Sequence, residues 1–270
     1  MTGIKKVKRI LFFLNICSTV VRILNCFIKI KRIKIGRYGK SFFVSGNLEY
    51  LWFWVFGSWE RNTYKAFDKY LDPNHSYIDI GAWIGPTVLY GAQIAKKVYA
   101  IEPDPIAFKE LEKNVSLNPE LKNNIELHEK CINSYSGQTK FGNMIAGGNS
   151  TSSLLFADSK VSWIVEAVTM DQFVEENNIT DCDFIKMDIE GGETVVLPAM
   201  KQYLEKNKPV LFISLHPLFF QHPAEDMKKI IDVLMIYKNV YDAAGKKIVL
   251  DDFLLKSEFD ISFSVIATDN

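Results

Sequence analysis

The sequence predicts an α/β fold: a mostly parallel sheet of seven strands with helices on both faces. Three observations carry this. Short apolar runs alternate with helix-length amphipathic stretches from residue 76 onward, the pattern of repeated βαβ units. Residues 76–104 contain a tight glycine turn, Asp79-Ile80-Gly81-Ala82-Trp83-Ile84-Gly85, between a strand and a helix. A second apolar run, residues 98–101, then closes on Glu102, 17 residues after Gly85. Such a unit brings a nucleotide-like ligand against a helix N-terminus at the carboxyl ends of parallel strands. Gly81 and Gly85 allow the backbone to turn and approach a ligand where a Cβ would collide. A carboxylate ending the second strand suits two ribose hydroxyls, because it only accepts and they donate. The dinucleotide fingerprint G-x-G-x-x-G is absent; D-x-G-x-x-x-G with Glu102 at this spacing suits S-adenosyl-L-methionine instead.

The elements follow in order. Residues 37–44 and 47–56 read as short strands or a hairpin ahead of the core, punctuated by Gly39, Gly46 and Gly57. The aromatic cluster Tyr50, Trp52, Phe53, Trp54, Phe56 and Trp59 reads either as core or lid packing or as a stacking platform for a substrate. Strand 76–80 feeds helix 86–95, and strand 97–101 feeds helix 105–118, which Pro119 terminates. Strand 125–129 leads to Cys131-Ile132-Asn133; Asn133 is either a turn residue or an amide facing an adenine edge, where it offers both donor and acceptor. Residues 141–156, rich in Gly, Asn and Ser, read as a long loop, a kind that is usually functional. A helix opening at Met170, strand 184–187, helix 194–204, strand 210–215, helix 224–234 and two closing runs, 239–249 and 261–267, complete the sheet. The last pair is expected as an antiparallel hairpin turned at Gly245.

A second motif, Asp183-Phe-Ile-Lys186-Met-Asp188-Ile-Glu190-Gly191-Gly-Glu193, sits between a strand and a helix. Together with D-I-G-A-W-I-G and Glu102-Pro103-Asp104-Pro105, its K-x-D-x-E-G-x-E spacing resembles the FkbM-type methyltransferase family, in matching order over roughly residues 59–216. The resemblance implies a class I methyltransferase fold with a Rossmann-like sheet, S-adenosyl-L-methionine as methyl donor, and most often O-methylation of a saccharide hydroxyl. It carries over a donor-binding set of Asp79, Gly81, Ala82, Trp83, Gly85, Glu102, Pro103, Asp104 and Asp188, to which Asn133 is added. It also places acceptor binding or lid closure in residues 141–156. Glu60, in a pre-core element similar to the family's, reads as a contact to the cofactor's amino group or as a helix cap. Family members often carry a Glu two residues before the equivalent of His216, where this chain has Ser214. The acceptor is either a saccharide or glycoconjugate, or another small molecule such as a secondary metabolite or lipid; the alternative from a different class is a catalytically silent cofactor-binding module at a membrane.

Methyl transfer from a sulfonium needs acceptor oxygen, methyl carbon and sulfur in line, and usually a base near the oxygen. The catalytic candidates are His216, which ends a central strand and has an unperturbed pKa of about 6.5, with Asp188 and Glu190 as competitors. Asp188, Glu190, Glu193 and His216 could ligate a divalent ion, but no second carboxylate cluster accompanies them and no metal is expected. The four cysteines form no C-x-x-C pair, which leaves reduced thiols in a cytosol as the expectation and excludes a disulfide framework or zinc ribbon.

With 270 residues and 48% hydrophobic content, the chain has ample length for a globular core plus an appendage. The parts read as a basic segment 1–40, pre-core elements 41–75 and a donor-binding domain 76–270. The formal net charge of zero hides an asymmetry: residues 1–40 hold eleven Lys or Arg and no acid, leaving 21 bases against 32 acids in the rest. The acidic body offers no basic surface of the size nucleic acid needs. Residues 10–28 are apolar but for a polar stripe of Asn15, Ser18, Thr19, Arg22 and Asn25 on one side of a helix. Arg22 makes a span costly, at about 2.5–3.5 kcal/mol. The alternatives are an amphipathic helix in an anionic lipid interface, peripheral on the cytoplasmic face, with a true span as the lesser form of the same reading, and a helix packed on the protein's own body. The first predicts that full-length protein pellets with anionic vesicles at low salt and is released as salt rises. Protein that stays in the supernatant at low salt would remove the membrane alternative.

Overall fold

The computed structural model of the chain describes residues 31–48, 50, 60–144, 146–251 and 262–269. The expected amphipathic helix of residues 10–28, and Trp52, Phe53, Trp54, Phe56 and Trp59, lie outside the described residues. No described helix is long and apolar enough to cross a membrane.

A hairpin opens the described chain: β1 (Arg32–Arg37) and β2 (Lys40–Ser45) pair antiparallel and turn at Tyr38-Gly39, both in the left-handed region. It starts earlier than the expected 37–44 and runs across residue 40, with Ile35, Phe42 and Val44 buried in the core.

The central sheet has seven strands in the order β11-β12-β10-β9-β3-β4-β5. Its members are β3 (Ser76–Ile80), β4 (Lys97–Ile101), β5 (Ile125–His128), β9 (Cys182–Met187), β10 (Val210–Leu215), β11 (Asn239–Asp242) and β12 (Phe263–Thr268). Every pairing from β5 across to β10 is parallel, and β12 is antiparallel to both its neighbours. This is the mostly parallel class I methyltransferase arrangement that the resemblance implied. The final pair differs from expectation in one respect. Gly245 turns only a short return, marked by the Tyr241–Lys247 bridge, and β12 arrives later in the chain to insert between β10 and β11.

Strand β3 is buried along its whole length, as a central parallel strand covered on both faces must be. Alternate residues serve opposite faces. Ile78, Ile80, Ile185, Met187 and Ile213 pack with α4 (Met170–Glu176), α5 (Glu193–Ala199), α6 (Lys201–Asn207) and α7 (Pro223–Leu234). Tyr77, Val98, Ala100, Phe184 and Phe212 pack with α1 (Arg61–Tyr70), α2 (Pro86–Gly91) and α3 (Pro105–Ser116). The expected helix 194–204 is two short helices meeting at Met200, with Pro198, which has no N–H to give, in the last turn of the first.

The loop expected at 141–156 is only partly a loop. Residues Gly137–Asn143 form β7, which pairs antiparallel with β8 (Val161–Val168); β6 (Cys131–Ile132) pairs parallel with β8 on its other side. This second sheet lies beside the carboxyl edge of the first and anchors the short segment 144–153 at both ends.

Two contacts join β3 to β9 where the site forms. Lys186, 2% exposed, donates from Nζ to Asp79 Oδ1 at 3.0 Å and to the Gly81 carbonyl at 3.1 Å. Gly81, at φ 85°, lies so close to β9 that a Cβ would overlap the backbone carbonyl of Asp188. Asp79→Ala leaves a buried ammonium without its counter-ion and is expected to cost about 3–5 kcal/mol. Asp79→Ala with Lys186→Met should recover much of that loss. Denaturant unfolding of the two variants measures both, and an unchanged midpoint in Asp79→Ala would overturn the assignment.

Candidate active site

The carboxyl ends of β3, β9 and β10 frame a cleft of about 640 Å³, with α1 and the 144–153 segment as further walls. Gly81, Ala82, Trp83, Lys186, Asp188, Glu190, Ser214 and His216 line it, each carried by a strand end or the turn just beyond it. Parallel strands make this inevitable: all their carboxyl ends, and all the loops that follow them, fall on one edge.

A narrower slot continues from the cleft. It is lined by Gly81, Trp83, Glu102, Pro103, Phe141, Asp188 and Ile189. Beyond it lies a small apolar recess bounded by Ile80, Pro103, Cys131, Ile132, Phe141 and Ile189. Gly81 borders all three spaces, while Trp83 and Asp188 border the first two.

Glu102 stands at the base of the slot. Its Oε2 accepts from the Trp83 N–H and its Oε1 from the Asp104 N–H, both at 2.8 Å. Two backbone donors fix the plane of the carboxyl while leaving acceptor capacity on each oxygen. Burial pushes its pKa up to about 8, with the Asp104 carboxylate adding to the rise, while the two N–H donors and the Lys186 charge oppose it.

Four residues expected at the donor have other employment. Asp79 is fully buried; its Oδ2 accepts from Tyr77 Oη at 2.8 Å and Thr87 Oγ1 at 2.6 Å, and its Oδ1 from Lys186. It fixes the turn and does not line the cleft. Asp104 is also fully buried. Its Oδ1 caps α3 by accepting from the Ile106 and Ala107 N–H groups, and its Oδ2 accepts from the Gly148 N–H at 2.7 Å and Ser152 Oγ at 2.8 Å. Asn133 turns its Oδ1 to the Ser134 N–H at 2.8 Å and borders none of the three spaces. Cys131 and Ile132, two residues and one residue earlier, line the apolar recess instead. Gly85, at φ 91°, carries the turn into α2 without lining the cleft.

The segment expected to act as a lid or acceptor loop is pinned. The Gly148 carbonyl accepts from Tyr50 Oη at 3.1 Å and Trp83 Nε1 at 3.0 Å, while its N–H binds Asp104. Tyr50 meets Trp83 edge to face, so this member of the aromatic cluster is a buried packing residue. Glu60 takes the N-cap position of α1, but its side chain caps no backbone group. It accepts from the Thr63 hydroxyl and lines the cleft, where burial and the nearby Asp188 raise its pKa.

His216 is 9% exposed and faces three carboxylates. Its Nδ1 lies 3.3 Å from Glu193 Oε1; its Nε2 lies 3.6 Å from both Asp188 Oδ1 and Glu190 Oε2. Burial alone would lower its pKa, but Glu193, Glu190 and Asp188 outweigh burial and push it up to about 10. In the ion-free cleft the three carboxylates thus favour the protonated imidazole, whereas the general-base role expected of His216 requires its neutral form. Glu190 is itself raised, chiefly by burial. Lys186 and Glu193 belong to the motif, yet their structural roles were not read from it. A lysine inside the apolar run Phe184-Ile185-Lys186-Met187 is a signal for a buried partner; nothing in the sequence marks Phe141 or Ile189 as slot residues.

Fold and cleft define a Rossmann-like protein of the class I methyltransferase type. The chain belongs to the FkbM methyltransferase family: the family's domain, described as Methyltransferase FkbM domain, matches residues 79–246. That domain is a methyltransferase domain with S-adenosyl-L-methionine as methyl donor. An uncharacterized protein of Methanocaldococcus jannaschii is 28% identical over 126 residues, which is 47% of this chain and 42% of that protein. A methyltransferase FkbM structure from Methylobacillus flagellatus KT is 18% identical, with 73% of this chain and 44% of that one covered and a TM-score of 0.48. A Streptococcus mutans protein solved in complex with SAH is 10% identical, with 76% and 94% covered and a TM-score of 0.44. The chain thus spans less than half the length of the first two relatives.

The Glu102 carboxyl generates a pH dependence with a defined sign. Hydroxyls donate to the ionised form, which predominates only above a pKa of about 8. Affinity for S-adenosylhomocysteine is expected to rise as pH goes from 6.5 to 9, and Glu102→Gln should flatten that rise. Calorimetry across this range checks it; an unchanged slope in Glu102→Gln would remove Glu102 from the ribose.

Proposed function

We propose that the protein transfers the methyl group of S-adenosyl-L-methionine to a hydroxyl of a saccharide or glycoconjugate. The observation that carries the reading is the placement of Asp188 at the junction between the narrow slot and the wide cleft. In this reading the adenine enters the apolar recess, the ribose diol meets Glu102, and the methionyl part lies along Gly81 and Trp83. The methyl group then points past Asp188 into the cleft. An acceptor oxygen there attacks in line, and positioning supplies much of the barrier lowering. Asp188, at the carboxyl end of β9, accepts the hydroxyl proton.

The walls of the cleft support a polyol acceptor. Asn62, Thr63, Ser214, Ser262 and Ser264 present amide and hydroxyl groups, which pair with sugar hydroxyls as both donors and acceptors. An apolar metabolite or lipid would leave these groups unpaired at a cost. The charge asymmetry of the sequence supports a location at an anionic membrane surface, through residues 1–40.

Full-length protein with isotopically labelled donor is expected to methylate neutral or acidic oligosaccharides. Asp188→Asn should lower turnover by roughly 10²–10⁴ while S-adenosylhomocysteine affinity changes only a few-fold. Transfer to a lipid or small metabolite, but to no glycan, would overturn the acceptor class. Donor binding without transfer to any hydroxyl would make the chain a silent binding module.

A further inference from the structure

We propose that Asp188, Glu190 and His216 form a site for one divalent cation of the Mn²⁺/Mg²⁺ class in the acceptor region of the cleft. Their facing atoms, Oδ1, Oε2 and Nε2, all lie within 4.8 Å of one another. Nε2 stands 3.6 Å from each oxygen, which is too long for a hydrogen bond. It is somewhat wider than the roughly 3.1 Å between adjacent ligands on an octahedral ion with bonds of about 2.2 Å, a gap that small rotations of the two carboxylates toward an ion would close. One imidazole nitrogen with two carboxylate oxygens suits a cation that prefers oxygen donors.

The second observation lies behind the imidazole. His216 is nine-tenths buried, and only Nδ1 has a hydrogen-bond partner, the Glu193 carboxylate. Glu193 is fully buried, and its two oxygens also accept from the Ile189 N–H at 3.0 Å and the Gly191 N–H at 2.8 Å. In the neutral imidazole a carboxylate fixed in this way holds the proton on Nδ1 and leaves the Nε2 lone pair aimed at the gap between Asp188 and Glu190, so a cation entering the gap takes the place of the Nε2 proton. This is the outer arrangement that metal-binding histidines use. Lys186, also in the cleft, is committed to Asp79 and the Gly81 carbonyl.

A comparison within the molecule sharpens the point. Asp72, His75 and Asp183 also converge, but at the amino ends of β3 and β9, away from the cleft. There His75 Nδ1 sits 2.8 Å from Asp72 and 3.1 Å from Asp183, a closed set of contacts on an exposed histidine with no gap for an ion.

The role of the ion rests on the methyl-transfer reading; the site does not. An acceptor oxygen on the ion loses its proton more readily to the uncoordinated oxygen of Asp188. Its lone pair forms the C–O bond as the S–CH3 bond breaks, and that electron pair stays on sulfur.

Calorimetry and Mn²⁺ electron paramagnetic resonance with MnCl₂ and the full chain test the site, with S-adenosylhomocysteine binding and circular dichroism measured in parallel. One Mn²⁺ per chain is expected. Glu190→Gln should weaken it at least tenfold. Glu193→Gln, which touches no ion, should weaken it by roughly 10–100-fold, and His75→Gln should leave it unchanged. The proposal is overturned if wild-type protein takes up no Mn²⁺ at millimolar concentration. It is equally overturned if folded Glu190→Gln and Glu193→Gln keep wild-type affinity, or if His75→Gln abolishes binding. Loss of the methyl-transfer reading alone would show as intact Mn²⁺ binding without S-adenosylhomocysteine binding.

Discussion

The buried ion pair between Asp79 and Lys186 is the interaction on which the rest of the site depends. It bridges the two central strands, β3 and β9, one residue pair before both chains leave the sheet. Because both groups are almost wholly out of water, neither can move away without exposing the other to an apolar interior. Burial on its own would lower the Lys186 pKa, but the carboxylates of Asp79, Asp188 and Glu60 outweigh it and keep the ammonium charged. The same ammonium holds the Gly81 turn through its carbonyl.

Around that bridge the chain distributes carboxyl groups by environment. Asp79 and Asp104 are saturated by protein donors and act as struts, one inside the turn and one between α3 and the 144–153 segment. Glu193 is a strut for His216 and for the turn after β9. Glu102, Asp188 and Glu190 keep oxygens that face open space. Chemically similar side chains are thus sorted into fixed and available groups by how many donors the backbone places around them.

The pinned segment has a consequence for access. Gly148 is tied through its N–H to Asp104 and through its carbonyl to Tyr50 and Trp83, so the wall beside Glu102 is held by the same residues that shape the slot. Trp83, at φ 47°, adopts a conformation that a bulky residue rarely takes, and three contacts hold it there: Glu102, Gly148 and Tyr50.

The sequence by itself determined the sheet and its ligand edge. Periodicity and glycine turns placed the strands at 76–80, 97–101 and 210–215 where they stand, because buried parallel strands must read as short apolar runs. It also determined the family, through D-I-G-A-W-I-G, Glu102 and the Lys186–Glu193 block, since backbone approach and carboxylate spacing are local properties of the chain. Only the tertiary structure decided what each polar group does. Asp79, Asp104 and Asn133 look in sequence like Glu102 and Asp188, but packing supplied the first three with internal donors. His216 ends its strand as expected, yet three carboxylates from a turn 23 to 28 residues away in sequence decide its charge. The second sheet is not legible in the sequence because β7 is made largely of Gly and polar residues, and because the mostly apolar run of β8 has no regular alternation to mark the face it buries. Such strands are specified by their partner across the ladder, which the one-dimensional pattern does not contain.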